Sequence, residues 1–290
     1  RIENPRVGGS IPPLATNYIF HSLSMGITQF DFGENWLAYV SKALTTQKAD
    51  EARLDFVALM EGIDINSARF LDIGFGQGLS LLCAAELGAQ VVGIDINQKN
   101  QEAVAFAAPH FPTVKLESLI IHIGSILSES ILDDLGRESP GGYDVVHSWG
   151  VLHHTGNMAL ALKHCVKLLR KDGYLVVSIY NDHWTSPLWK QIKRVYCHSP
   201  LVIKKIMVYT MFPIIWTAKL IVTRQNPIQK QRGMDFFFDV VDWVGGYPYE
   251  FATIEEFTTL CNRENLEVVR VQKSSVPTGC NEYILRNLNN

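Results

Sequence analysis

The sequence predicts an α/β fold built on a mostly parallel sheet with helices on both faces. Three observations carry this. Short apolar runs alternate with helical stretches from about residue 70 to residue 180, the pattern of buried parallel strands. One such run leads into the glycine-rich turn RFLDIGFGQG at residues 69–78. The next run ends in an acid, Asp95.

The elements follow in order. Apolar spacing over Asn35–Met60 predicts two helices split near Thr45–Asp50. Phe70–Ile73 is a strand, and Leu79–Leu87 the helix after the glycines. Gln90–Ile96 is a strand, and Gln98–Ala108 a helix. Leu116–Ile123 is a strand, followed by a short helix over Ser128–Gly136. Tyr143–Ser148 is a strand, and Met158–Arg170 a helix ending at Asp172-Gly173. Tyr174–Tyr180 is strongly β-prone. The alternation then breaks, and residues 182–245 read as an insertion rich in aromatics and Lys/Arg. Thr253–Asn262 returns to helix, and Leu266–Gln272 and Asn281–Leu285 to strand. The expected organisation is a leader at 1–24, a core at 25–181, an insertion at 182–252 and a closing section at 253–290.

Composition bounds the function. The chain has 290 residues, 47% hydrophobic and 19% charged, enough for a sizeable core and against wholesale disorder. Lys+Arg total 26 against 29 Asp+Glu, which opposes a large nucleic-acid surface. Five scattered cysteines form no C-x-x-C pair, so neither a disulfide framework nor a zinc site is expected, and a cytoplasmic location is. Residues 1–17 carry no periodic pattern and are broken by glycine and proline. They read as a disordered arm or as non-native. Gly9-Ser10-Ile11-Pro12 can be encoded by GGT TCG ATT CCC, which resembles a transfer-RNA T-loop. Ala15-Thr16-Asn17 can contain the terminal CCA, so Met25 is the expected natural start.

The glycines stand at 74, 76 and 78. A dinucleotide fingerprint would space them G-x-G-x-x-G. The tighter spacing, with Asp72 before it, favours a ligand carrying an amino acid and a ribose. Asp95 can accept two hydrogen bonds from a ribose diol, or simply cap the following helix.

These residues, LDIGFGQG and then GIDI, resemble the class I S-adenosylmethionine-dependent methyltransferases. The resemblance covers roughly Asn35–Asn181 and a sheet-closing C-terminal section. It implies a Rossmann-like, seven-stranded sheet with the last strand antiparallel, and S-adenosyl-L-methionine as cofactor. It implies that Gly74, Phe75, Gly76 and Gly78 line the methionine part, with Asp72 at its amino group. Asp95 would hold the ribose and Ile96 the adenine. Ser125 stands where the family often has an adenine-binding Asp, so the Ile126 amide is a second contact there. Ser148 and Trp149 leave the fourth strand beside the cofactor.

The segment Val151-Leu152-His153-His154 is closest to ubiquinone-type and glycan- or natural-product-modifying O-methyltransferases, and a neutral imidazole suits a general base. His153 and His154 are the base candidates, only one of them facing the acceptor; the alternative is a cap and a packing ring. Tyr180 and Asn181 are expected at the acceptor, with His183 in reserve. The segment RGMDFFFDVVDWVGGYPYEF resembles a bacterial subgroup and offers Tyr247 and Glu250 as acceptor contacts, or a structural cover. The expected acceptor is a small molecule or glycan, methylated at a hydroxyl.

Val202–Val222 is apolar but interrupted by Lys204, Lys205, Pro213 and Lys219. It is expected to be a helical lid, or an amphipathic segment in peripheral contact with a membrane or a lipid-like substrate. An NAD-dependent oxidoreductase, a nucleic-acid methyltransferase and a non-catalytic cofactor-binding protein are the competing readings. No Asn/Asp-Pro-Pro-Tyr/Phe segment supports the second.

Overall fold

A computed structural model describes residues 29–228 and 235–289. The proposals about the leader and its start therefore lie outside the described residues.

Two helices come first, α1 (Phe32–Lys42) and α2 (Thr46–Leu59). Asp31 accepts from the Glu34 amide and Thr45 from the Lys48 amide, so each helix begins on a side-chain cap. The break falls at Ala43–Thr45, at the early edge of the expected split, because Thr45 supplies the second cap.

The alternating section follows as β1 (Arg69–Ile73), α3 (Leu79–Glu86), β2 (Gln90–Asp95), α4 (Lys99–Ala107) and β3 (Ile120–Ile123). Then come α5 (Glu129–Glu138), β4 (Tyr143–Trp149), α6 (Met158–Leu168) and β5 (Leu169–Tyr180). Two boundaries of the alternating section differ from expectation by more than two residues. β3 is shorter, because Leu116–Ser118 forms a single 3₁₀ turn before it. β5 starts earlier, because Leu169 pairs with Tyr143 across a bulge that lies ahead of the main register.

The insertion is three helices, α7 (Ser186–His198), α8 (Leu201–Thr223) and α9 (Phe236–Gly245). The chain closes with α10 (Ile254–Arg263), β6 (Leu266–Gln272) and β7 (Cys280–Asn287). Thr253 and Glu256 form a reciprocal capping box at the start of α10.

The seven strands run in the order β3-β2-β1-β4-β5-β7-β6. β7 is antiparallel to β5 and β6, and the remaining pairs are parallel. One face packs Leu132, Leu162, Cys165 and Phe257, from α5, α6 and α10, against the sheet. The other packs Tyr39, Phe56, Leu82 and Val104, from α1 to α4. A third cluster of Tyr196, Val208, Ile215, Phe236 and Val240 joins α7, α8 and α9. The strand order reverses between β1 and β4. Open α/β sheets bind ligands at the carboxyl ends of the strands beside such a reversal.

Candidate functional site

A cleft of about 830 Å³ opens at that reversal. Its floor is the turn after β1. Gly74, Gly76 and Gly78 have φ of 72°, 53° and 80°, a region that other residues enter at a cost. Gly76 lines the cleft, and its amide donates to Asp95 Oδ2 at 3.0 Å. A Cβ on Gly74 would lie 2.5 Å from Val151, so that glycine lets the two loops meet.

Asp95 bridges the turns after β1 and β2. Its Oδ1 accepts from the Asn97 amide at 2.8 Å while Oδ2 takes Gly76. Burial raises its pKa, and these amides together with Asn100 oppose the rise. Phe75, Ile96, Ser125, Ile126 and Trp149 also line the cleft. Ser125 Oγ accepts from the Leu127 amide at 3.2 Å.

Asp72 lines the floor and is 2% exposed. Its Oδ1 lies 2.7 Å from His147 Nδ1, an equally buried partner on β4. The register explains the pair, since Asp72 and His147 are cross-strand neighbours. His147 stacks between Phe70 and Trp149. Asp72 Oδ2 and His147 Nε2 are both buried without a hydrogen-bond partner. Asp55, from α2, also lines the cleft with a buried, unpartnered Oδ2.

The loop after β4 separates the two histidines. His154 lines the cleft. Its Nδ1 lies 2.5 Å from the Pro248 carbonyl, so Nδ1 carries the proton and Nε2 is the free acceptor. Burial and the Lys193 charge push its pKa down to about 3, against the pull of that carbonyl. His153 is fully buried outside the cleft lining and packs on Tyr180 at 4.1 Å between ring centroids. Burial, then His154 and Lys193, hold its pKa far below the usual imidazole range.

Tyr180 and His183 line the cleft, with Phe32, Trp189 and Trp243. The other expected residues lie outside the lining. Asn181 ties β5 to the loop before β7 through the Pro277 carbonyl and Asn281. Glu250 Oε2 accepts from the Met158 amide at 3.0 Å, at the start of α6. The Tyr247 carbonyl accepts from the Phe30 amide at 3.0 Å. Ser148 Oγ donates to the Ile73 carbonyl, and a Cβ on Gly78 would meet Val104 at 2.5 Å. The contacts described for these five are with the surrounding scaffold. His147, Asp55 and the 274–279 loop line the cleft in addition to the expected residues. For His147 the available signal was period two: it stands between Val145 and Trp149 on one face of β4.

A glycine turn bonded to a strand-end acid, at the reversal of an open sheet, defines a nucleoside-cofactor enzyme fold. The family model of the methyltransferase domain matches residues 44–211, and the chain belongs to that family. It is thereby placed among the class I S-adenosylmethionine-dependent methyltransferases. A ubiquinone biosynthesis O-methyltransferase of Xanthomonas campestris pv. campestris is 33% identical over 130 residues, 44% of this chain and 49% of that protein. The protein of the same description from Bradyrhizobium diazoefficiens is 30% identical over 122 residues, 42% and 44% of the two chains. The chain thus spans about half the length of these curated relatives. PKMT2 from Rickettsia typhi, solved with AdoHcy, superposes with a TM-score of 0.52 at 16% identity, covering 82% of this chain and 52% of that one. At that identity the likeness is one of fold.

Proposed function

We propose that this chain transfers a methyl group from S-adenosylmethionine to a hydroxyl of a small ring-bearing acceptor, with His154 as proton acceptor. The observation that carries the reading is a single cleft joining the glycine turn and Asp95 to His154 and Tyr180. The relatives described as O-methyltransferases support oxygen as the acceptor atom.

The residues present fit the cofactor. Asp72 Oδ2 and Asn100 Oδ1 are buried acceptors without partners. Such atoms cost about 1–3 kcal/mol each unless a donor meets them. The cofactor's amino group is the donor we assign to Asp72, and its ribose hydroxyls to Asp95. When bound, it supplies a methyl group on a positively charged sulfur.

The chain's own part is orientation, desolvation and proton transfer. His147 fixes the Asp72 carboxylate through one oxygen and leaves the other to the ligand. Phe32, Trp149, Tyr180, Trp189 and Trp243 provide apolar walls that suit a flat sugar or aromatic ring and exclude water. His154 accepts the hydroxyl's hydrogen bond at Nε2 and takes its proton as the oxygen loses it. His153 packs behind Tyr180 and supports that ring.

The test is calorimetric titration of S-adenosylmethionine into the parent and Asp95→Ala, with transfer measured on a panel of hydroxylated acceptors. Removing hydrogen bonds to a charged group worth about 1.5–3 kcal/mol weakens binding about 10- to 100-fold. Folded parent protein that binds no S-adenosylmethionine would overturn the reading. Unchanged affinity in Asp95→Ala would remove the ribose role alone.

A further inference from the structure

The helix α8 is apolar on both of its faces, which is unusual for a water-facing element. Its inner face is conventional. Val208 and Ile215 are buried in the cluster with α9, and Lys219 pairs with Asp239 at 2.9 Å. Its outer face, where charged residues normally sit, instead carries Val202, Ile206, Tyr209, Ile214 and Ile221. Their exposures run from 54% to 71%. Val202, Ile206 and Tyr209 stand four and three residues apart, and Ile214 and Ile221 seven apart beyond Pro213, so apolar residues are exposed along the 23-residue length. Contiguous exposed apolar surface of this kind marks an interaction site.

Charge identifies the partner. Residues 183–234 contain nine Lys/Arg and no Asp/Glu, in a chain whose acids outnumber its bases 29 to 26. Lys205 on α8 and Arg224 at its end are exposed, as are Lys190 and Arg194 on α7. A second copy of this chain packed by the same face would set basic rim against basic rim. An anionic lipid surface matches both features at once: headgroups meet the lysines and arginines, and acyl chains meet the isoleucines.

We infer that α8 docks this protein flat on an anionic phospholipid bilayer, its outer face in the interface and its inner face still packed on α9. The helix is long and apolar enough to cross a membrane. Spanning would strip the buried face from α9 and break the Lys219–Asp239 pair, so the flat pose keeps contacts that the span loses. Ile215, Ala218 and Val222 wall the cleft from the inner side of the same helix. Docking therefore sets one wall of the cleft against the lipid surface. This surface does not depend on the methyl-transfer reading.

The experiment is flotation of the full chain with vesicles of phosphatidylcholine alone, or of phosphatidylcholine with phosphatidylglycerol, at low and high salt. The parent is expected to float with the anionic vesicles and to be released by high salt. Ile206→Glu with Ile214→Glu should lower the bound fraction at least about tenfold, since each isoleucine loses its transfer to the apolar phase. Neither residue lines the cleft, so the variant's thermal response to S-adenosylmethionine should match the parent's and report its folding. Should that variant misfold, Lys205→Glu with Arg224→Glu gives the second arm and should abolish the preference for anionic vesicles. A parent that stays unbound on both vesicle types overturns the inference. So does a double glutamate variant that folds and still floats like the parent, or a parent released only by detergent. A parent dimer that ignores vesicles and dissociates on the glutamate substitutions would assign the face to a second copy instead.

Discussion

His154 is a base kept neutral by its surroundings. Its pKa in the fold lies at about 3, against 6.5 for an exposed imidazole. Between those values the unfolded chain holds a proton that the folded chain does not. Stability is therefore complete above pH 6.5 and falls as pH drops toward 3, by about 1.4 kcal/mol per pH unit for each such group. His153 adds to the same loss, since burial lowers its pKa as well. The thermal midpoint should fall on acidification from pH 7, and His154→Gln should fall less steeply. Equal slopes in the two proteins would remove His154 as a titrating contributor. The Asp72–His147 pair is a different case, two buried groups that satisfy each other at 2.7 Å. His147→Ala leaves a buried carboxylate without that partner, which costs about 3 kcal/mol or more. Chemical denaturation reads this directly. A variant as stable as the parent would show that Asp72 is held by something else.

The turn that opens α3 shows how one motif serves two ends. Gly76 lines the cleft, whereas Gly78 begins the helix with φ of 80°. A Cβ on Gly78 would lie 2.5 Å from Val104 on α4. Gly78→Ala thus adds backbone strain of roughly 1–2 kcal/mol and pushes two helices apart. The expected result is a loss of at least about 2 kcal/mol in denaturant unfolding, with cofactor affinity changed less than by Gly76→Ala. The reverse ranking of affinities would mean that Gly78 touches the ligand. This turn was legible in the sequence because its signals are local: glycines, an acid, and a strand ending next to a helix. The seven-stranded sheet with its antiparallel last strand was legible through the family likeness, which those few residues carried. His147 was hidden, because its role depends on register with Asp72, 75 residues away. The contacts of Glu250, Asn181 and Tyr247 were hidden for the same reason. The Glu250 and Asn181 side chains bond backbone groups of distant segments, and the Tyr247 carbonyl accepts from the Phe30 amide.

The molecule as a whole couples the sheet to its helical cover through the cleft. Asn35 on α1 donates to the Phe238 carbonyl on α9, and the Phe30 amide to that of Tyr247, so the first helices hold the cover as well as the sheet. The cleft's walls come from both bodies: Asp95, Trp149 and His154 from the core, Ile215, Lys219 and Trp243 from the cover. A ligand filling it stabilises the joined state and not the unfolded chain. At 100 times its dissociation constant it adds about 2.7 kcal/mol. For a chain of this length each kilocalorie moves the midpoint by roughly 2–4 °C, so a rise of about 5–10 °C is expected. S-adenosylmethionine and its demethylated product should both produce it, in one transition, because core and cover share the site. NAD should not, since the glycines at 74, 76 and 78 depart from the spacing that cradles a pyrophosphate. A rise with NAD alone would reassign Asp72 and Asp95 to a different cofactor. Two separate transitions, only one of them moving, would show that the cover closes independently of the ligand.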